Sequence, residues 1–245
     1  MNYIIAPCFT TVVCPQRGRK VNVSRALIDD WAESIEVCGI RGMILYDELP
    51  EELRQCYGAH IGFWKVDPPP EGRSINDWRF FAFRDFVREH ADCEAAFFTD
   101  LFDMVVQHDP FPWLKEKGGL AAGTEDPIKQ GPWMSKKLGQ AFGKTWGEII
   151  PGRYPRCTAG LFGGMRPLLL PFLEVVCGIL DAIRVHSPKL NANMPAFQMA
   201  IHAGMCGQPV HFGHPLHHPR WRFGKRDQDA FFHHEWRGLK SPLFA

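Results

Sequence analysis

Over roughly its first 110 residues the chain alternates short apolar runs with amphipathic helical patterns, the signature of βαβ units and a largely parallel sheet. No other feature restricts the fold as much, because parallel strands need a long crossover between them, usually a helix. Residues 3–6 read as a first strand, with 9–14 as the loop that leaves it and Gln16-Arg17-Gly18-Arg19-Lys20 as a basic turn. A helix is expected from Asn22 or Ser24, either of which offers a capping side chain. Leu27, Ile28, Trp31 and Ile35 then follow at helical spacing, and Gly39 suits the position after the helix end. Ile40–Tyr46 is a second strand, Pro50–Leu53 opens a short helix, and Ile61–Val66 is a third strand that stops at Asp67 and three prolines. The strongest helix starts at Ser74 and sets Phe80, Phe83, Phe86, Val87 and His90 on one face.

That helix leads into Glu94–Phe111, EAAFFTDLFDMVVQHDPF. Ala95–Phe98 is short, apolar and bounded by polar residues, as a buried strand is. Thr99, Asp100 and Asp103 follow where the strand runs out, and open α/β sheets bind ligands beyond the carboxyl ends of their strands. Mg²⁺ and Mn²⁺ are hard ions that prefer oxygen, and on a substrate diphosphate they take one or two protein carboxylates. Asp100 and Asp103 suit that role. Spacing alone fits two solvated loop residues equally well, since D-x-x-D is common by chance.

After Pro112 the pattern changes. Leu120–Ala122 is a short strand, Gly123–Pro127 a loop, Trp133–Phe142 a helical stretch, and residues 143–156 are rich in Gly and Pro. Cys157–Gly164 reads as a strand whose glycines allow close backbone approach. Arg166–Arg184 is a strongly apolar helix and Asn193–Ala203 another, with Met194, Phe197, Gln198 and Ile201 facing inwards. The tail from Pro209 holds His211, His214, His217, His218, His233 and His234. One of them is a candidate to complete a manganese site, and most are expected at a solvated end.

At 245 residues, 45% apolar and 22% charged, the chain has the size and composition of one large globular domain. A net charge of +1 and the lack of any run of five like charges argue against a nucleic-acid surface. Eight cysteines occur without a C-x-x-C pair, so a reduced, cytoplasmic protein is expected. The N-terminus reads as a strand rather than a signal peptide, and no apolar run is long enough to be a transmembrane segment.

Four segments, in order, resemble the GT-A glycosyltransferases. Thr99–Phe111 is similar to their "TD-x-x-DVVFQRDPF" block, which carries the metal-binding acidic motif. Arg79–Phe86 resembles the "RF-x-x-Y-x-D" helix before it. Thr158–Gly164 resembles the "NAG-[IL]-[IF]-GG" segment, and Asn193–Phe197 the "DM-x-AFN" helix start. The resemblance implies an α/β GT-A-like single domain over 1–245, with a Rossmann-like, mostly parallel mixed sheet flanked by helices. Residues 1–111 would be the nucleotide-binding half and 112–245 the half that binds acceptor and completes the metal site. It further implies a nucleotide-sugar donor, a glycan or small-molecule acceptor, and Mn²⁺ or Mg²⁺. Asp103 and Asp100 would hold the metal with His233 or His234. Asp100, Arg79, Ala159, Gly160, Gly163, Gly164 and Asn193 would contact the donor or acceptor. Glu125 and Asp126 are the candidate catalytic carboxylates, needed as a general base if the reaction inverts the sugar. An oligomer is compatible with all of this. Thr158 and Asn193 depart from the family's Asn and Asp, which keeps open a catalytically inactive nucleotide- or sugar-binding module. A zinc hydrolase built on His211, His214 and His218 is the third reading, without an H-E-x-x-H or C-x-x-C framework behind it.

Overall fold

The protein is described by a computed structural model covering residues 1–15, 18–124, 127–144, 148, 155–205, 207–218 and 227–234, the side chains of 127–131 and 218 aside. Strands β1 (Asn2–Cys8), β2 (Arg41–Tyr46), β3 (Ile61–Lys65) and β4 (Ala95–Thr99) alternate with α1 (Arg25–Val37), α2 (Glu51–Gln55) and α3 (Ile75–Glu89). These four strands are parallel, in the order β3-β2-β1-β4. The sheet continues through β7 (Cys157–Met165), β6 (Leu120–Thr124) and β8 (Val210–Phe212), with only β7 running against its neighbours. Both halves of the chain thus contribute to one seven-stranded sheet. A three-stranded sheet, β5 (Met104–Val106), β10 (Phe232–His234) and β9 (His217–His218), lies beyond the end of β4. The other helices are α4 (Phe111–Lys117), α5 (Pro127–Phe142), α6 (Arg166–His186) and α7 (Asn193–Met199), the last continuing as a π-turn over Ala200–Gly204.

Helices cover both faces of the sheet, which is why its central strands read as unbroken apolar runs. On β4, Ala96 and Phe98 join one core with α3, α6 and α7, while Ala95 and Phe97 join the other with α1 and α4. The first core is aromatic. Phe83 of α3 stacks on Phe98 at 4.2 Å between ring centroids, and Phe162 of β7 meets Phe80, Phe98 and Phe197 at 5.6, 5.0 and 5.1 Å. Each such ring, fully buried, contributes about 1.5–3 kcal/mol, and together they seat α3 on the sheet at the level of the site.

Helix boundaries follow local chemistry. Ser74 caps α3 by accepting the Asp77 N–H at 3.1 Å. Ser24, not Asn22, stands at the start of α1, though its side chain makes no capping bond, and Gly39 adopts φ +67 after its end. The sequence patterns miss β5, α4 and the tail strands β8–β10. Two or three residues are too few to show a period, and these strands exist only by pairing with distant segments. The expectation of a solvated tail is corrected accordingly: His217, His233 and His234 are buried. Pro112 falls in the first turn of α4, where a missing N–H costs nothing.

Candidate active site

Asp100 directly follows β4, at the carboxyl edge of the parallel strands. Its position is fixed from two sides. Arg79, on α3 and almost fully buried, donates from Nη1 to Asp100 Oδ1 at 2.7 Å. On the other side the Asp100 N–H donates to the Gly160 carbonyl at 2.9 Å. A Cβ on Gly160 would overlap Asp100 Oδ2 and stand 2.9 Å from its Cγ. Glycine is required there because the carboxylate fills the space of a side chain. The neighbouring Thr158 hydroxyl accepts the Gly160 N–H at 3.1 Å.

Asp103 lies three residues on, where the chain turns into β5. Strand β10 pairs antiparallel with β5, and His234 falls opposite Met104, the residue after Asp103. That register brings His234 Nε2 to 3.2 Å from Asp103 Oδ2. One ligand atom each from Asp100, Asp103 and His234 lie within 4.8 Å of one another. His233, one residue earlier on the strand and opposite Val105, does not join this group. The other oxygen of Asp103, Oδ1, is buried without a hydrogen-bond partner among the described residues. A buried carboxylate oxygen in that state costs free energy until a donor or cation meets it. Two carboxylates and an imidazole form a donor set suited to a divalent cation.

His217, which the sequence places only among the tail histidines, lies beside His234. Its ring centroid lies 6.1 Å from that of His234, and its Nδ1 accepts the Thr124 N–H at 3.3 Å. It thereby ties the end of β6 to the small sheet. No spacing in the sequence connects positions 124, 217 and 234.

The remaining expected residues fall into three groups. Asn193 is buried at the start of α7, next to Met194, whose sulfur accepts the Ala159 N–H at 3.4 Å and so ties α7 to β7 one residue before Gly160. Gly163 and Gly164 pair with Phe97 and Ala96, back along β4. At about 3.3 Å per residue they sit roughly 10 Å or more from Asp100. A Cβ on Gly163 would overlap Phe97 and the Ala96 carbonyl, and one on Gly164 would come 2.7 Å from Leu120, so strand packing accounts for both glycines. Glu125 and Asp126 lie outside the described residues, as do Gln16 and Arg17. Of the zinc candidates, His211 faces the Gly118 carbonyl at 3.0 Å and His214 lies 3.8 Å from Asp227. Among the described residues they enter no metal-sized cluster.

Asp77, on α3, supports the site from behind. Its carboxylate takes the N–H groups of Ala192, at 3.0 Å, and Asn193, and so holds the start of α7. Burial pushes this carboxyl up to about 6 from its ordinary 3.8, against the hydrogen bonds and Arg73, which pull it down.

No family model and no curated protein matches the chain. Solved structures do share its fold. An active-site mutant of LgtC aligns over 96% of this chain and 87% of its own length, with a TM-score of 0.58 and 14% identity. The galactosyltransferase LgtC in complex with donor and acceptor sugar analogs aligns over the same shares, with a TM-score of 0.55 and 15% identity. The fold is therefore that of a GT-A glycosyltransferase. Among the described residues no helix is long and apolar enough to cross a membrane, and the seven described cysteines are free thiols.

Proposed function

We propose that this protein is a metal-dependent glycosyltransferase. It moves a sugar from a nucleotide-diphosphate donor to a glycan or small-molecule acceptor, with Mn²⁺ or Mg²⁺ held by Asp103, Asp100 and His234. The observation that carries this reading is the convergence of those three side chains at the carboxyl end of β4, on a fold shared with LgtC. When bound, the cation supplies Lewis-acid stabilisation of the charge that builds on the leaving diphosphate. The protein groups supply position. Arg79 turns Asp100 so that its Oδ2 lies beside Gly160, where it is available to a donor hydroxyl as well as to the metal. Gly160 keeps the wall of the site free of side-chain atoms at that point. Glu125 and Asp126, next in the chain after Thr124, remain the candidates for taking the acceptor's proton in an inverting reaction.

The test is a panel of nucleotide sugars and nucleoside diphosphates, each with Mn²⁺ or Mg²⁺. The matching ligand raises the melting temperature only with metal, through linkage, and Asp103→Ala abolishes the rise. Full retention of the rise in that variant rejects the reading.

The second reading, an inactive binding module, draws on Thr158. That residue is buried and its hydroxyl accepts the Gly160 N–H, so it stands behind the site wall. Metal-dependent release of nucleoside diphosphate from a nucleotide sugar excludes a purely binding role.

A further inference from the structure

We infer that helix α1 is the brace that sets the spacing of the two acidic residues, with Trp31 and Ser34 as positioning residues for Asp100 and Asp103. This rests on the metal site proposed above. The loop that carries both carboxylates runs between two anchor residues, Thr99 at the end of β4 and Val106 at the end of β5. One stripe of α1 bonds to both. The Trp31 indole N–H donates to Thr99 Oγ1 at 2.9 Å, in fully buried surroundings. The Ser34 hydroxyl accepts the Val106 N–H at 3.1 Å and donates to the Trp31 carbonyl at 2.7 Å. The Cys38 thiol, a turn further along, donates weakly to the Val106 carbonyl at 3.8 Å. Positions 31, 34 and 38 lie one above another on a helix, so the seam is continuous.

Apolar contact alone would hold α1 to the sheet, since Leu27, Ile28, Ala32 and Ile35 are all buried beside Trp31. The polar seam adds something that packing cannot: directional bonds at the residue before Asp100 and at the third residue after Asp103. With both ends tied to one rigid helix, the span between the carboxylates is held before any cation arrives. Ligand geometry of this kind depends on its supporting hydrogen bonds nearly as much as on the ligands themselves. Without the seam, β10 would still pair with β5 and Asp100 would keep its bonds to Arg79 and Gly160, but neither end of the acidic loop would be tied to the helix, so the span between the two carboxylates would be free to vary.

The experiment measures Mn²⁺ binding, with Mn²⁺ alone as the probe and loss of the free-ion electron paramagnetic resonance signal as the readout. Melting temperature is recorded in parallel without metal. Ser34→Ala and Trp31→Phe each remove one anchor and are expected to weaken Mn²⁺ binding roughly tenfold or more. Ile35→Val, which removes a buried methyl from the same helix but touches neither anchor, lowers the melting temperature and leaves the Mn²⁺ affinity unchanged. The inference is overturned if Ser34→Ala and Trp31→Phe lower the melting temperature while binding Mn²⁺ as the parent does. It also falls if the parent's Mn²⁺ binding is unaffected by Asp103→Ala, and that outcome rejects the metal site itself.

Discussion

Asp103 is the residue on which the site turns: its Oδ2 lies 3.2 Å from His234 Nε2, and its Oδ1 is buried without a hydrogen-bond partner among the described residues. Replacing it by Ala should abolish metal binding, whereas Asp100→Asn keeps the shape and should weaken binding without destroying it; Mn²⁺ titration of the two variants checks the order. Gly160→Ala is the sharpest steric test. Its methyl would occupy the place of Asp100 Oδ2, and forced overpacking of this kind costs about 1–3 kcal/mol. Urea unfolding should show that loss together with weaker Mn²⁺ binding. At this scale the sequence supplied residue types and left their partners open. Asp100, Asp103, Arg79 and Gly160 were all singled out by motif, and they do meet. The choice between His233 and His234 needed the register of β10 on β5, since neighbouring residues on a strand point to opposite sides.

Two contacts between elements govern how the site is held. The first is the aromatic cluster that seats α3 on the sheet. Phe162 touches Phe80, Phe83, Phe98, Phe172 and Phe197, so Phe162→Ala should cost about 3–5 kcal/mol in denaturant unfolding. The second is the Asp77 anchor between α3 and the start of α7. Its folded value of about 6 lies above the ordinary 3.8, so the native state takes up a proton before the unfolded chain does. Stability from this group is therefore greatest below the ordinary value and is lost as pH rises through about 6. In Asp77→Asn that slope disappears. Relative to the variant, the parent should lose on the order of 2 kcal/mol between pH 4 and 6.5. His202, in the π-turn after α7, works in the opposite sense. Burial lowers it to about 4 from 6.5, so its contribution is present above 6.5 and is lost as pH falls through about 4. Unfolding curves of the single and double variants across this range separate the two. Local patterns made α3 and α7 legible as helices, but the anchors between them join positions more than a hundred residues apart.

For the molecule as a whole, binding and stability are linked. A metal and nucleotide pair present at about a hundred times its dissociation constant adds roughly 2.7 kcal/mol, a rise of several degrees for a chain of this size. Chelation with EDTA should remove the rise in the parent and change nothing in Asp103→Ala. The sequence by itself determined the βαβ front half, because strand and helix periods are local properties that each segment carries alone. It also determined that two aspartates follow a buried strand, since order along the chain is enough for that. Only the tertiary structure decided that β5, β9 and β10 form a second sheet, that His234 rather than His233 reaches Asp103, and that α1 bonds to both ends of the acidic loop. Each of these depends on pairings between distant segments, whose free energy appears only when the chain has closed and which leave no period in the sequence.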